Sequence, residues 1–427
     1  MLVLKQCGIA LARGFLFILF FLDVSVAVAE KAAPKISQND QSMVARGTSM
    51  NPRDFFTPEH DMFRDEVMKF LQMEAVPFHE SWEKQGHVGR EIWLKAGAAG
   101  LLCTGVSEEF GGVGCDWRYS TIIIEALARL NLTGLGFSLH SDIVAPYIEH
   151  YGNTHLKQKY LPKMISGEFI TAIAMSEPEA GSDLQNLKST AELRGDSYIL
   201  NGSKTFITNG GLADVAIIAA KTNPAAGAKG ISLFVVETSW PGFEKGKNLD
   251  KIGMKAQDTA EFFFKNVQVP KENLLGVENK GFGYLMQELP QERLLVAIQA
   301  VANAEAALDW TIAYTKERKT FGQPLIEFQN TRFKLAEMKA DVVAGRSFVD
   351  ACIKDHLAKK FDVPSAAMAK FWCTDLQCRV LDQCLQLFGG YGYMREYPIA
   401  RAWADSRVQK IYAGTNEIMK EVVARSL

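Results

Sequence analysis

No G-x-G-x-x-G and no G-x-x-x-x-G-K-[ST] occurs anywhere in this chain of 427 residues, which disfavours a nicotinamide-type dinucleotide site and a P-loop nucleotide enzyme. H-E-x-x-H is missing too, and the seven histidines do not gather at ligand spacing, so no catalytic metal is expected. Charge of one sign is also lacking: 47 Lys and Arg face 49 Asp and Glu, for a net charge of −2. Without a global field to draw in nucleic acid or an anionic membrane, any anionic ligand must be held locally. The seven cysteines form no C-x-x-C pair and no regular framework, which argues against a disulfide scaffold or a zinc ribbon and fits a reducing compartment. Uninterrupted apolar runs fall short of the roughly 18 residues that span a bilayer, so no stable membrane span is expected. Low-complexity and collagen-like composition are absent as well.

What is present is an ordinary globular composition, 48% hydrophobic and 22% charged; at about 150 residues per domain the length suggests two to three domains. Residues 1–30 read differently from the rest. Lys5 and Arg13 precede an apolar run from Phe15 to Leu22, and Ala27-Val28-Ala29 supplies small residues before Glu30, which is the grammar of a signal peptide. Asp23 interrupts it. A cleaved targeting segment, an organellar leader and an extension upstream of a start at Met50 all remain open, followed by a linker over Lys31 to Thr48.

Order is expected from Thr57-Pro58-Glu59, a helix N-cap with proline at the first position, and helical periodicity continues over 120–129 and 143–164. Between Ile170 and Val269 short β-rich runs take over, at 170–175, 198–200, 205–208, 215–221, 231–237 and 261–269. Asn201-Gly202 reads as a two-residue hairpin turn. Long helical patterns return over 291–317, 331–356 and 365–388. The reading is thus α+β, in the order α, β, α: residues 1–50 a targeting segment or extension plus linker, 51–168 a helical domain, 169–280 a β domain, and 281–427 a helical bundle.

Residues 171–184 read T-A-I-A-M-S-E-P-E-A-G-S-D-L, a strand running into a loop rich in backbone donors and small hydroxyls, able to approach a phosphate or a flat ring. Alone, A-G-S-D is a β-turn. It is accompanied, in order, by N-G-S-K-T-F-I-T-N-G at 201–210, M-Q-E-L-P-Q-E-R-L-L at 286–295, E-R-K-T-F-G at 317–322, L-F-G-G-Y-G-Y at 387–393 and I-Y-A-G-T-N-E-I at 411–418. With these motifs the chain resembles the acyl-CoA dehydrogenase family of flavoproteins from about Phe55 to Arg425, most closely its long-chain branch. The resemblance implies a helical N-terminal domain, a middle β domain and a C-terminal four-helix bundle that bind FAD, usually within a homotetramer.

It also implies roles. Ile173, Met175, Ser176, Gly181 and Ser182, with Phe206, Ile207 and Thr208, would form the flavin loops, Ser182 touching substrate as well. Arg318, Phe321, Gln329 and the run Gln386, Leu387, Phe388, Gly389 and Gly390 would take the pyrophosphate and adenosine of a neighbouring subunit's FAD. The guanidinium fork suits that task because it donates to two phosphate oxygens at once. Thr415, Asn416 and Glu417 would complete the cofactor site, while Gln291, Arg293, Leu294, Ala413 and Gly414 would line the substrate. The implied reaction is FAD-dependent α,β-dehydrogenation of a medium- to long-chain acyl-CoA to the trans-2-enoyl-CoA in fatty-acid β-oxidation. Its implied electron acceptor is an electron-transfer flavoprotein, and its implied location a bacterial cytoplasm or mitochondrial matrix.

Removing the α-proton of a thioester needs a base. Most of the family carries it in Y-E-G-T, yet here that stretch is Tyr412-Ala413-Gly414-Thr415. In the long-chain and isovaleryl branches the base comes from the first long helix of the bundle, where Glu292 stands, with Glu288 a rival one turn earlier. Leu294 to Ala302 holds only Gln299 as a polar residue, so Glu292 should be desolvated and its pKa raised. The N–H of residue 413 would polarise the thioester carbonyl. Two departures from the family stand out: Glu179 replaces a usual Gly, and Leu135 in Gly134-Leu135-Gly136 replaces a proline expected to loosen a helix beneath the acyl pocket. An isovaleryl-type dehydrogenase and a non-catalytic flavoprotein remain alternatives.

Overall fold

The computed structural model of the chain describes residues 53–427, so the readings made for residues 1–50 lie outside the described residues. Six helices come first: α1 Pro58–Glu74, α2 Val76–Gln85, α3 Glu91–Ala98, α4 Trp117–Arg129, α5 Ala145–Tyr151 and α6 Thr154–Ile165. Helix α1 starts where its signals say. Thr57 is extended, Pro58 takes the first position, and the Thr57 N–H donates to His60 Nδ1 at 3.2 Å. The single helix expected over 143–164 is instead a π-helical turn, Leu139–Val144, that runs into α5, breaks at Gly152 and restarts as α6. Asn153 causes the restart: its Oδ1 accepts the Leu156 N–H at 2.9 Å, a strong N-cap inside an apolar pattern. Leu135 lies in the turn before this segment, not within a helix, and its N–H donates to the Leu132 carbonyl at 3.3 Å. A proline there would remove one turn hydrogen bond and loosen no helix.

The middle region holds β1 Thr171–Ala174, β2 Thr190–Arg194, β3 Ser197–Thr208, β4 Val215–Lys221, β5 Ile231–Glu237, β6 Phe243–Lys245, β7 Thr259–Pro270 and β8 Leu274–Leu275. Strand order is β6-β7-β3-β2-β4-β5-β8, with β1 pairing parallel to β4. Strands β4 and β5 read as mainly apolar runs, broken only by Ser232 before they end in Lys221 and Glu237, because both faces are covered. Val215, Ile217 and Ala219 face the helical domain, whereas Ala216, Ile218 and Ala220 face the β core.

Asn201-Gly202 is not a hairpin turn; it lies inside β3, at a bulge against β7. The Asn201 side chain binds Asn266 through two hydrogen bonds, and Gly202, at φ +138°, lets the strand pass Ser189 at a distance no Cβ would allow. The two-residue turn is Gly195-Asp196, between paired Arg194 and Ser197.

The bundle is built from α7 Gly281–Glu317, α8 Gln329–Leu357, α9 Val363–Phe388, α10 Pro398–Ser406 and α11 Asn416–Ala424, with a small hairpin, β9 Lys319–Thr320 and β10 Gln323–Pro324, between α7 and α8. Helix α7 begins ten residues before the expected Gln291 and carries Pro290 inside it. Packing overrides the proline signal: Gly281 lies tightly on Ser232 of β5, and from Glu292 to Leu308 the helix is buried almost all round by α4, α8 and α9. A buried ion cluster joins the helical regions. Arg346 of α8 donates to Glu305 of α7 at 2.9 and 2.7 Å and to Glu125 of α4 at 2.6 Å, and Arg53 also binds Glu125. The observed fold is α+β, as expected.

Candidate active site

Glu292 is 4% exposed. Its Oε1 accepts the Tyr147 hydroxyl of α5 at 2.9 Å, and burial, helped by the nearby Glu288 charge, pushes its pKa up to about 7 against the pull of Tyr147 and Arg293. Tyr147 is fully buried, and burial together with Glu292 keeps it a neutral donor. Gln291 reaches elsewhere: its Nε2 donates to the Asp142 carbonyl of the π-helical turn at 2.7 Å. Leu294 is core of the bundle. Glu288 accepts from the Tyr151 hydroxyl at 2.7 Å and bonds His150 Nδ1 at 2.9 Å.

The turn at 412–416 approaches α7 from the other side. Ala413 has φ +53° and Gly414 φ +91°. Lys370, fully buried on α9, donates to the Gly414 carbonyl at 2.7 Å and to Asn416 Oδ1 at 2.9 Å. Asn416 is held in turn by Thr374, and Thr415 caps α11 through the Ile418 N–H. A Cβ on Gly414 would lie 3.9 Å from Arg293 Nη2, so Arg293, the residue after Glu292, comes beside the 413–414 turn. Arg293 Nε is buried without a partner. Glu417 is exposed at the start of α11.

The two β loops are joined by a buried ion pair that sequence reasoning missed. Lys204 Nζ donates to the Met175 carbonyl at 3.0 Å and to Glu177 Oε1 at 2.8 Å, and the Thr205 N–H donates to the Ser176 carbonyl at 3.0 Å. The available signal was a lysine and a glutamate placed within otherwise apolar or hydroxyl-rich runs. Between Lys204 and Ile207 the register of β3 shifts, and Phe206 turns outward at φ +60°, 70% exposed. Ile173 stays on β1 opposite Ile217, Ile207 is buried and Thr208 half-buried. Gly181 and Ser182 are exposed, and nothing lies within 4 Å of a Cβ built on Gly181. Glu179 has no positive φ, so the usual glycine is not required there.

A third group gathers at the far end of α7. Arg318 stacks over Tyr391, with its guanidinium carbon 5.6 Å from the ring centroid, and Tyr314 packs on Phe388 at 4.1 Å. Phe321 is 94% exposed at φ +48°. Gly389 and Gly390 have open faces, while Gln329 and Gln386 are exposed and Leu387 half-buried. Among the described residues, no hydrogen bond, ion pair or ring contact ties this group to the β loops. Strained non-glycine backbone falls on all three regions, at Phe206, Phe321 and Ala413. Open glycine faces, an exposed guanidinium and outward aromatic rings suit an anionic dinucleotide with a flat ring, so the residues present fit FAD.

Family models for the N-terminal, middle and C-terminal domains of acyl-CoA dehydrogenases match residues 57–168, 172–267 and 279–427. The mitochondrial long-chain specific acyl-CoA dehydrogenase of Rattus norvegicus is 53% identical over 382 residues, 89% of each chain. An acyl-CoA dehydrogenase crystal structure from Geobacillus kaustophilus superposes with a TM-score of 0.86 at 50% identity, covering 87% of this chain and 98% of that one. The FAD complex of PigA does so with 0.83 at 28% identity, with the same coverage. Domain matches that run from the first helix to the last residue, and an identity above one half with a full-length relative, agree with the motifs and the geometry: this chain belongs to the acyl-CoA dehydrogenase family.

Proposed function

We propose that Glu292 is the base with which this FAD-dependent acyl-CoA dehydrogenase of fatty-acid β-oxidation takes the α-proton of a long-chain acyl thioester. The observation that carries the assignment is a buried carboxyl whose pKa is raised to about 7, one residue from the arginine that lies beside Gly414. Such a carboxylate is ionised enough to act at neutral pH and basic enough to accept a carbon-bound proton. Bound FAD supplies the acceptor for the β-hydride. The protein supplies the rest: Tyr147 fixes the carboxylate, and Lys370 holds the Gly414 carbonyl so that the 413–414 backbone keeps its left-handed turn. Among the described residues the Ala413 N–H makes no hydrogen bond, which leaves it free for the thioester oxygen.

Similarity to the rat long-chain enzyme supports a long acyl chain, and the reduced flavin needs an electron acceptor, which the family resemblance makes an electron-transfer flavoprotein. No helix among the described residues is long and apolar enough to cross a membrane. A mitochondrial matrix or bacterial cytoplasm is the location that acceptor implies. Glu292→Gln keeps the shape and removes the basicity. Flavin reduction by substrate should fall by about 10² or more with FAD content unchanged, and in the wild type the rate should rise with pH through about 7. Reduction of the variant's flavin at the wild-type rate would show the base to be misassigned.

A further inference from the structure

Once Glu292 has taken the α-proton, a carboxyl 4% exposed and bonded to a fully buried tyrosine must give it up before the next turnover. The surroundings show where. Helices α5 and α7 run antiparallel and face each other through two rungs, Tyr147 on Glu292 at 2.9 Å and Tyr151 on Glu288 at 2.7 Å. Each rung is four residues from the next on its own helix, which puts the Cβ atoms of Glu292 and Glu288 about 5–6 Å apart on one face, and the Glu288 charge acts on Glu292. The inner rung is sealed. The outer one opens to solvent, because His150, 54% exposed at its side chain, lies 2.9 Å from the Glu288 oxygen that Tyr151 also binds.

We propose that Glu288, His150 and Tyr151 form the proton exit from Glu292 to solvent. The proposal rests on Glu292 being the base. In this exit the O–H bond of protonated Glu292 breaks as that proton passes to a water between the two carboxyls, which gives one of its own to Glu288. Glu288 then passes it to His150 Nδ1, the other ring nitrogen releases its own proton to bulk water, and exchange of the exposed ring with solvent returns His150 to its starting tautomer, so that each group ends as it began. Tyr151 holds the Glu288 oxygen in line. Around Glu288 the titratable groups are Tyr147, His150 and Tyr151 from α5, Glu292 from α7 and His356 from α8. His356 is kept neutral by burial, its pKa pushed down to about 4. His150 is tuned the other way: its bond to Glu288 raises its pKa against burial, with Glu149 and Lys157 acting on it in opposite senses. An imidazole, with one ring nitrogen to take a proton and another to release one, is the group such an exit needs.

The test separates proton removal from proton escape. The holoenzyme is incubated in D2O with a 3-thia-acyl-CoA, an analogue with no β-hydride to give, and exchange of its α-hydrogens is followed by NMR. First-turnover flavin reduction by a true acyl-CoA is measured in parallel, well above pH 7. Glu288→Gln and His150→Gln should each slow exchange about tenfold, less than the roughly 10² of a group acting on the reacting atom, while the first flavin reduction stays near wild type. Added imidazole should restore exchange in His150→Gln. Exchange at the wild-type rate in both variants would overturn the exit. Glu292→Gln should instead abolish exchange and reduction together; if Glu288→Gln does so and Glu292→Gln does not, it is the base assignment that fails. Should Glu288→Gln bind no FAD, the exposed His150→Gln decides.

Discussion

At the scale of the residue, the carboxyl proposed as the base works against the stability of the protein that holds it. The Glu292 pKa is raised from 4.5 to about 7 by burial, so the folded state binds its proton more tightly than the unfolded chain does. Its contribution is therefore most favourable below pH 4.5 and is lost as pH rises through about 7. Removing the charge should give that loss back. Glu292→Gln is expected to be more stable than the wild type above pH 7, by about 3 kcal/mol at most, and no more stable below pH 4.5. Thermal unfolding of the two proteins across that range measures it; a Gln variant less stable than wild type at pH 8 would contradict it. The burial of Glu292 was legible in the sequence, since Leu294 to Ala302 holds one polar residue. Its partner was not. Tyr147 and Glu292 are 145 residues apart, and no local pattern carries a contact that only packing of α5 on α7 creates.

At the scale of the element, β3 shows how a strand serves a site by leaving its ladder. Its two register shifts place Gly202 against Ser189 and turn Phe206 out, while Lys204, between them, points inward to Met175 and Glu177. Glu177 also accepts the Ser189 N–H at 3.0 Å, so one buried pair pins both loops around the proposed flavin site. Lys204→Met would leave Glu177 charged, buried and short of its partner, a loss of about 3–5 kcal/mol, and FAD affinity should weaken with it. Lys204→Met/Glu177→Gln should recover part of both, because Gln still accepts a backbone N–H without a charge. Denaturant unfolding and flavin retention would check this; equal stability of the single variant and wild type would sink it. Strands β4 and β5 were read correctly from their apolar runs. The Asn201-Gly202 pair was misread because a bulge and a hairpin turn both call for a glycine with room to turn, and only the partner strand distinguishes them. The early start of α7 escaped for a similar reason, since Pro290 reads as a boundary until packing of Gly281 is known.

At the scale of the whole molecule, the length of α7 bears on whether one chain can hold the whole of the proposed cofactor site. Glu292, where the buried stretch of α7 begins, and Arg318, the residue that follows the helix, stand 26 residues apart, roughly 39 Å at 1.5 Å per residue. A cofactor whose flavin works beside Glu292 cannot also rest its phosphates on Arg318 of that chain, since the span exceeds the reach of one dinucleotide. Yet the Arg318 group has the makings of a binding surface: Phe321 is 94% exposed, and Gly389 and Gly390 offer open backbone. A solvent-facing phenylalanine held at positive φ is costly unless something covers it. The arrangement is completed if a second copy supplies its Arg318, Phe321, Gln329 and 386–390 residues to the flavin loops of the first, as in the homotetramer that the family resemblance implies. FAD binding and association are then one equilibrium, and ligand that binds only the assembled form stabilises it by mass action. Arg318→Ala, at an exposed side chain, should weaken FAD retention and shift sedimentation towards smaller species on dilution, while the isolated fold stays intact by circular dichroism. A wild-type monomer that keeps its FAD and full activity when diluted would show that one chain is enough.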